Sequence, residues 1–99
     1  MNSIYFLLGI TKKAGKIASG EVKTEAAIKN GKCHLVLIAS DSSLNTQKKF
    51  INLCKHYNIG YQIFGEMERI GKGIGKGKTA VAAILDRNLA KMIEEKLAL

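Results

Sequence analysis

Apolar side chains recur three or four residues apart in several segments of the chain, the spacing of one helix face. It predicts helices over about residues 3–14, 21–30, 45–57 and 87–97, with a shorter one over 66–71. Asp86 is expected to cap the last helix. The positions predicted to be buried are Ile4, Leu7, Leu8 and Thr11; Thr24, Ala27 and Ile28; Phe50, Leu53, Cys54 and Tyr57; and Leu89, Met92, Ile93 and Leu97.

Four apolar runs of strand length alternate with these helices, at about residues 16–20, 34–40, 60–65 and 79–86. The run "HLVLIAS" is continuously apolar, which predicts a strand covered on both faces of a sheet. Strands that alternate with helices at this spacing predict an α/β fold, with helices on both faces of a central four-stranded sheet. With 99 residues, the chain is expected to form a single domain over 1–99.

The segment "GKGIGKGKT", residues 71–79, resembles a nucleotide-binding phosphate loop but has Lys72 where the pattern needs its first glycine. Such a loop also leads from a strand into a helix, whereas the predicted order here is helix, then strand. The alternative is a glycine-rich loop whose backbone approaches a polyanion closely and whose lysines neutralise phosphates. Positive φ is expected at Gly71 or Gly73. A plain connection with solvated lysines is the other possibility.

Sixteen Lys and Arg residues against eight Asp and Glu residues give a formal net charge of +8. From Asp86 onward the charges cancel, so the excess belongs to the first 85 residues. This asymmetry indicates a polyanion partner and favours nucleic acid. A basic protein-interaction module within a transcription or translation assembly remains an alternative, as does charge that serves solubility alone.

Other features of the sequence point away from secretion, metal binding and catalysis. The apolar start "IYFLLGI" precedes its lysines and is too short to span a bilayer, so a cytoplasmic protein is expected. Cys33 and Cys54 are expected to be buried, and neither His34 nor His56 has partners at ligand spacing, so no metal or other cofactor is expected. Catalytic carboxylate pairs and nucleophile triads are not recognisable, and a nucleotide-binding enzyme is the least favoured alternative.

The stretches "KAGKIASGE", "GKCHLVLIASD" and "ERIGKGIG" together resemble the kink-turn-binding ribosomal-protein superfamily of the L7Ae and L30e type, in its small bacterial YlxQ-like branch. The resemblance covers roughly residues 3–92. It implies a three-layer α-β-α sandwich with a central four-stranded mixed sheet. It also implies a non-catalytic protein that binds structured RNA, such as ribosomal RNA or a kink-turn-like internal loop, in association with the ribosome or translation.

The resemblance further implies an RNA surface built from the turn at Gly20 with the following helix start, and from the glycine-rich loop. Val22, Lys23 and Ala26 stand where the best-studied members have Asn, Glu and Lys. Glu21 is expected either to accept hydrogen bonds from guanine edges or to cap the helix, with the cap favoured. The RNA-binding residues expected are Lys12, Lys13, Lys16, Gly20, Glu21, Val22, Lys23, Arg69, Ile70, Gly71, Lys72, Gly73, Lys76 and Lys78.

Overall fold

The computed structural model describes residues 3–98, and these form five helices and four strands in the predicted alternating order. The helices are α1 (Ser3–Lys13), α2 (Glu21–Lys29), α3 (Leu44–Tyr57), α4 (Met67–Gly73) and α5 (Arg87–Ala98). The strands are β1 (Ile17–Ser19), β2 (Leu35–Ile38), β3 (Tyr61–Ile63) and β4 (Val81–Ile84). No helix within residues 3–98 is long and apolar enough to cross a bilayer.

The strands form one mixed sheet in the order β1-β4-β2-β3. β4 runs antiparallel to both β1 and β2, while β3 runs parallel to β2. Consequently β1, β2 and β3 finish at the end of the sheet where β4 begins, and Val81 pairs there with Ile38. We call this the groove end. The opposite end, where Ile84 pairs with Ile17 and Leu35, is the basal end.

Alternating side chains of the central strands supply two cores, one on each face of the sheet. Leu35, Leu37 and Ile84 pack with α1, α4 and α5 on one face. Val36, Ile38 and Val81 pack with α2 and α3 on the other. The central strands β2 and β4 are buried along their whole length, and the predicted three-layer sandwich is confirmed.

The predicted helix faces are confirmed except at two positions, one in the last turn of α3 and one in the middle of α5. All four predicted positions of α1 and all three of α2 are buried, as are Phe50 and Cys54 of α3. Tyr57, in the last turn of α3, is 40% exposed, and Met92 of α5 is 46% exposed, so both were wrongly predicted to be buried. In α5 it is Ala90, at 3% exposure, that packs beside Ile93. Asp86 caps α5 as predicted, because its Oδ1 accepts a hydrogen bond from the Leu89 amide.

Helix α4 is longer than the sequence predicted, because it continues through Gly73 into the glycine-rich segment. It ends in a Schellman motif: the Gly75 amide donates to the Lys72 carbonyl at 3.2 Å and the Lys76 amide donates to the Gly71 carbonyl at 2.7 Å. Positive φ, expected at Gly71 or Gly73, occurs instead at Gly75, where φ is 70°. The loop proper is therefore residues 74–80.

Both cysteines are free and buried, as predicted. Burial raises the pKa of the Cys33 thiol to about 11 and that of the Cys54 thiol to about 12. Because the thiolate is the reactive form, both side chains are unreactive near neutral pH.

We therefore expect iodoacetamide at pH 8 to leave the folded chain essentially unmodified and to alkylate both thiols in concentrated guanidinium chloride. Mass spectrometry of intact protein measures the stoichiometry. Rapid modification of Cys33 or Cys54 under native conditions would contradict the burial described above.

Candidate functional site

A groove of about 430 Å³ opens at the groove end of the sheet, between the turn at Gly20 and the loop that precedes β4. The turn and the loop are 56 residues apart in sequence but adjacent in space, because β1 ends beside the start of β4. The groove is lined by Ser19, Gly20, Glu21, Lys23, Lys76, Gly77, Lys78, Thr79 and Ala80. The fold thus brings together the two segments that the sequence singled out.

Gly20 makes the turn from β1 into α2 with φ 93° and ψ 165°, a conformation that is essentially confined to glycine. Its amide donates to the Val81 carbonyl at 2.9 Å, which ties the turn to the start of β4. The buried Thr24 hydroxyl donates to the Ala18 carbonyl at 3.3 Å and holds the first turn of α2 against β1. Both contacts fix the position of the helix start at the groove.

The N-terminus of α2 has no side-chain cap. The first intrahelical donor is Thr24, whose amide bonds to the Gly20 carbonyl at 3.0 Å. The amides of residues 21–23 therefore have no hydrogen-bond acceptor within the described part of the chain. Free amides and the positive end of the helix macrodipole favour a bound anion at this position.

Glu21 neither caps α2 nor extends freely into the groove. Its Oε2 accepts a hydrogen bond from the Thr46 hydroxyl at 3.1 Å. Thr46 is in turn fixed by Ser43, whose hydroxyl oxygen accepts from the Thr46 amide at 3.1 Å and caps α3. The predicted capping role is wrong, because the carboxylate reaches across to the next helix. Glu21 joins the starts of α2 and α3.

The loop forms the other wall by folding back onto helix α4. A Cβ built on Gly71 would lie 1.8 Å from the Gly77 carbonyl oxygen, so the backbones touch where only a glycine fits. The Thr79 amide donates to the Met67 carbonyl at 3.0 Å, and its hydroxyl donates to the Gly77 carbonyl at 3.0 Å. These contacts hold Lys76 and Lys78 at the groove.

The positive side chains of the groove are unpaired, whereas most neighbouring acids are occupied. Lys23, Lys76 and Lys78 are exposed, and none belongs to an ion pair within residues 3–98. Asp41 is used as a cap, since its Oδ1 accepts from the Met67 amide at 2.8 Å. Glu21 is hydrogen-bonded to α3, as described above. The groove therefore presents cations to a ligand.

Glu25 lies on α2 beyond the groove and binds Lys29 at 2.8 Å and Lys49 at 2.9 Å. Hydrogen bonds from Lys29 and Lys49 lower the pKa of Glu25, and the same carboxylate raises the pKa of Lys29. The ion pairs of Glu25 are fully formed above the ordinary glutamate pKa, and they are lost as the pH falls through the lowered pKa of Glu25. It links α2 to α3 and removes two lysines from the free cations.

Three of the predicted lysines lie at the wrong end of the molecule for this site. Lys12, Lys13 and Lys16 precede β1, and the Lys16 carbonyl accepts from the Leu85 amide at the basal end. Gly20, after β1, bonds to Val81 at the groove end. The prediction that these lysines continue the surface around Gly20 is wrong, because a whole strand separates them from it.

The remaining predicted residues of the glycine-rich segment lie on helix α4 and do not line the groove. Ile70 is 1% exposed and Gly71 is buried, so they serve the core and the loop contact and are not available at the surface. The Arg69 guanidinium lies 4.8 Å from the centre of the Tyr5 ring, beside α1. Gly73 also packs on α1. Lys72 is exposed on α4 and does not line the groove.

The turn at Gly20 differs from the prediction in one further respect, and the sequence reading missed part of the groove. Val22 is 83% exposed but does not line the groove. Ser19, Gly77, Thr79 and Ala80 line it although they were not among the predicted RNA-binding residues. Their only signal in the sequence was their position, next to Gly20 or directly before β4.

The order of elements around the glycine-rich segment shows that it is not a nucleotide-binding phosphate loop. The segment begins in the last turn of α4 and leads into β4, the reverse of a strand that leads into a helix N-terminus. Within residues 3–98 no cluster of three or more His, Cys, Asp or Glu side chains is placed to hold a metal ion.

The fold and the groove define a class of small α-β-α domains with a cationic groove at one end of a mixed sheet. The chain belongs to the ribosomal protein L7Ae/L30e/S12e/Gadd45 family, whose model matches residues 2–94. It is similar to proteins named RNA-binding protein YlxQ. The identity is 34% for that of Bacillus subtilis (strain 168), covering 88% of this chain and 87% of the relative. For that of Enterococcus faecium it is 38%, covering 90% and 85%.

Solved structures share the fold. A protein of unknown function from Bacillus halodurans C superposes with a TM-score of 0.96 at 26% identity, over 100% of both chains. The 15.5kD RNA binding protein of Giardia lamblia superposes with a TM-score of 0.81 over 95% of this chain and 81% of that one. At 21% identity, the second likeness concerns the fold alone.

Proposed function

We propose that the chain is a non-catalytic RNA-binding protein that holds a structured RNA in the groove between the Gly20 turn and the loop 74–80. The observation that carries the proposal is the convergence of Lys23, Lys76 and Lys78 with the uncapped start of α2 on one opening. Membership of a family whose relatives carry RNA-binding names supports RNA as the ligand.

The groove suits a phosphodiester backbone that bends. The free amides of α2 can donate to one phosphate, and mobile lysine ammonium groups on the opposite wall can neutralise others. Because these contacts approach from two walls, they favour an RNA whose strand changes direction within the groove. Gly20 and Gly77 carry no side chain, so the backbone of the protein can approach the ligand closely.

The chemistry of the turn favours recognition by shape and charge rather than by base edges. Val22 has no hydrogen-bonding group, and Lys23 only donates, whereas reading of base edges uses paired donors and acceptors. Glu21 can accept, but its carboxylate already binds Thr46. We therefore propose that a kink-turn-like loop is bound through its bent backbone, with little dependence on its G·A pairs.

Gel-shift titration tests the proposal with a kink-turn hairpin and the same hairpin lacking its G·A pairs. We expect both to bind with similar affinity. A footprint of about five phosphates should cost two to three decades of affinity between 50 and 200 mM salt. Binding that hardly changes with salt would overturn the phosphate-backbone mechanism. A large preference for the intact hairpin would instead show that base edges are read.

The proposed setting is the bacterial cytoplasm, in association with the ribosome or another component of translation. The relatives named above are bacterial, which supports the bacterial part of this proposal. The discriminating experiment is affinity purification of the tagged chain from cells with and without nuclease treatment. Partners should be lost on nuclease treatment if RNA mediates the association. Retention of a protein partner after complete digestion would favour a protein-interaction module instead.

A further inference from the structure

The excess positive charge of the chain is concentrated at the basal end, away from the groove. Four connections meet there, α1–β1, α2–β2, α3–β3 and β4–α5. They and the adjoining helix turns carry seven exposed cations and two acids: Asp86, which caps α5, and Glu94 of α5, whose Oε2 lies beside Gly60 in the α3–β3 connection. One of the seven cations, Lys29, is paired with Glu25. We call this surface the basal face, and its cations are Lys12, Lys13, Lys16, Lys29, Lys32, Lys55 and Arg87.

The groove end has a smaller excess of positive charge. Its turns, helix starts, α4 and the loop 74–80 carry six cations and four acids. The cations are Lys23, Lys48, Arg69, Lys72, Lys76 and Lys78, and the acids are Glu21, Asp41, Glu66 and Glu68. Even with Lys29 neutralised by Glu25, the basal face has six cations against Asp86 and Glu94, and binding in the groove does not account for this excess.

Helix stabilisation explains only part of this concentration. Three helices end at the basal end, and lysines in their last turns complement the negative ends of the helix macrodipoles. Lys16 and Lys32, however, lie in connections outside any helix. Arg87 begins α5, where a cation opposes the macrodipole. The contacts within residues 3–98 show no role in the fold for these three cations.

The composition of the basal face favours nucleic acid over an acidic protein. A protein interface normally has an apolar centre. Among the exposed large apolar side chains of residues 3–98, this face has Ile10 in the last turn of α1 and Tyr57 in the last turn of α3, on two different helices. The His56 ring packs edge-on against the Tyr57 ring, with the ring centres 4.9 Å apart. Exposed aromatic rings among lysines suit unpaired bases and phosphates.

We infer that the basal face is a second RNA-binding surface, so that the protein bridges two RNA segments held at opposite ends of the sheet. The inference builds on the proposed function, since it takes RNA as the ligand of the groove. The two surfaces are separated by the length of β4, and the whole molecule measures only 32 × 27 × 25 Å. Two RNA segments bound in this way are held within about that distance.

The test uses two hairpins that cannot pair with each other, labelled with a donor and an acceptor dye. We call the hairpin bound in the groove the first and the hairpin bound at the basal face the second. Wild-type protein should give energy transfer between the two dyes, and analytical ultracentrifugation should detect a complex of one chain with two RNAs. In Lys16→Ala/Lys32→Ala, binding of the second hairpin should weaken by about ten- to hundredfold at 50 mM salt, because two phosphate contacts are lost. Binding of the first hairpin should change little.

The control is Lys48→Ala/Lys72→Ala, which removes the same charge from exposed positions at the groove end that do not line the groove, and it should leave bridging intact. Equal bridging by the basal variant and this control would overturn the inference, as would failure of wild-type protein to take up a second hairpin. Uptake of polyglutamate in place of the second hairpin would overturn it in favour of an acidic protein partner.

A variant of the groove separates this inference from the proposed function. Lys76→Ala/Lys78→Ala should lose the first hairpin and retain one RNA, whose binding is then sensitive to Lys16→Ala/Lys32→Ala. If the groove substitutions change nothing while the basal substitutions abolish RNA binding, the groove proposal fails and the basal face stands as an RNA-binding surface.

Discussion

Replacing Lys23, Lys76 and Lys78 together by alanine is expected to lower the affinity for a kink-turn hairpin by two to three decades at 50 mM salt. Each lysine that neutralises one phosphate contributes about 0.7 to 0.9 to the slope of log affinity against log salt, so loss of the three should reduce the slope by about two to three. All three side chains are exposed and unpaired, so the free energy of unfolding should be almost unchanged.

The matched control for this variant is Lys48→Ala/Lys91→Ala/Lys96→Ala. It removes the same formal charge from exposed positions that do not line the groove. Any loss caused by net charge alone appears in both variants and cancels in the comparison. If the two triple variants lose affinity equally, the groove is not the site at which RNA is held.

The second large effect is expected from Gly71→Ala, which should reduce the free energy of unfolding by about 2–3 kcal/mol, within the range of overpacking substitutions. The added methyl group would lie 1.8 Å from the Gly77 carbonyl oxygen, so the loop 74–80 must move away from α4. For a domain of this size, such a loss lowers the melting temperature by about 10–20 °C. Circular dichroism with heat or urea measures it.

Gly73→Ala is the internal control for that experiment, since it adds the same methyl group to the same helix. There the nearest heavy atom, the Tyr5 carbonyl oxygen, would be 3.5 Å from the Cβ, an ordinary contact. We expect Gly73→Ala to change stability by less than about 1 kcal/mol, and alanine favours the helix. Similar melting temperatures for the two variants would contradict the close contact between Gly71 and Gly77.

The layers of the fold could be predicted because each helix or strand has its own local pattern of apolar residues. The spacing of Ile4, Leu7 and Leu8 and the continuous run at Leu35–Ile38 each have one physical solution, an amphipathic helix and a doubly covered strand. The predictions of burial fail where the exposure of a side chain depends on its position in the tertiary structure. Tyr57 continues the helical stripe of Phe50 and Cys54, but it lies in the last turn of α3 and is partly exposed.

The candidate site was harder to predict, since it depends on which segments meet across the sheet. The hydrophobic spacing of the helices and strands predicts that Gly20 and the loop lie in connections between elements. Only the antiparallel pairing of β1 with β4 brings these two connections together. Lys16 is only four positions from Gly20 in the sequence, yet β1 carries the chain between them to the opposite end. Proximity in sequence was misleading there.

The glycine-rich segment was also predicted incorrectly, because its structure depends on the packing of Ile70 in the core. Glycines at 71 and 73 suggested a flexible loop, but Ile70 and Ile74 lie four residues apart and both pack into the core, which continues α4 through the first glycines. The Schellman motif at Gly75 then ends the helix. In this segment, burial of two isoleucines outweighs the low helix propensity of glycine.

The uneven distribution of charge between the two ends of the sheet bears on the kinetics of association. Long-range attraction acts on the end with the greater excess of cations, so a polyanion in solution meets the basal face first. Groups in the groove act only after contact, since the Debye length is about 8 Å at physiological ionic strength. Ionic strength would then govern how fast complexes form, while the walls around Lys76 and Lys78 govern how long they last.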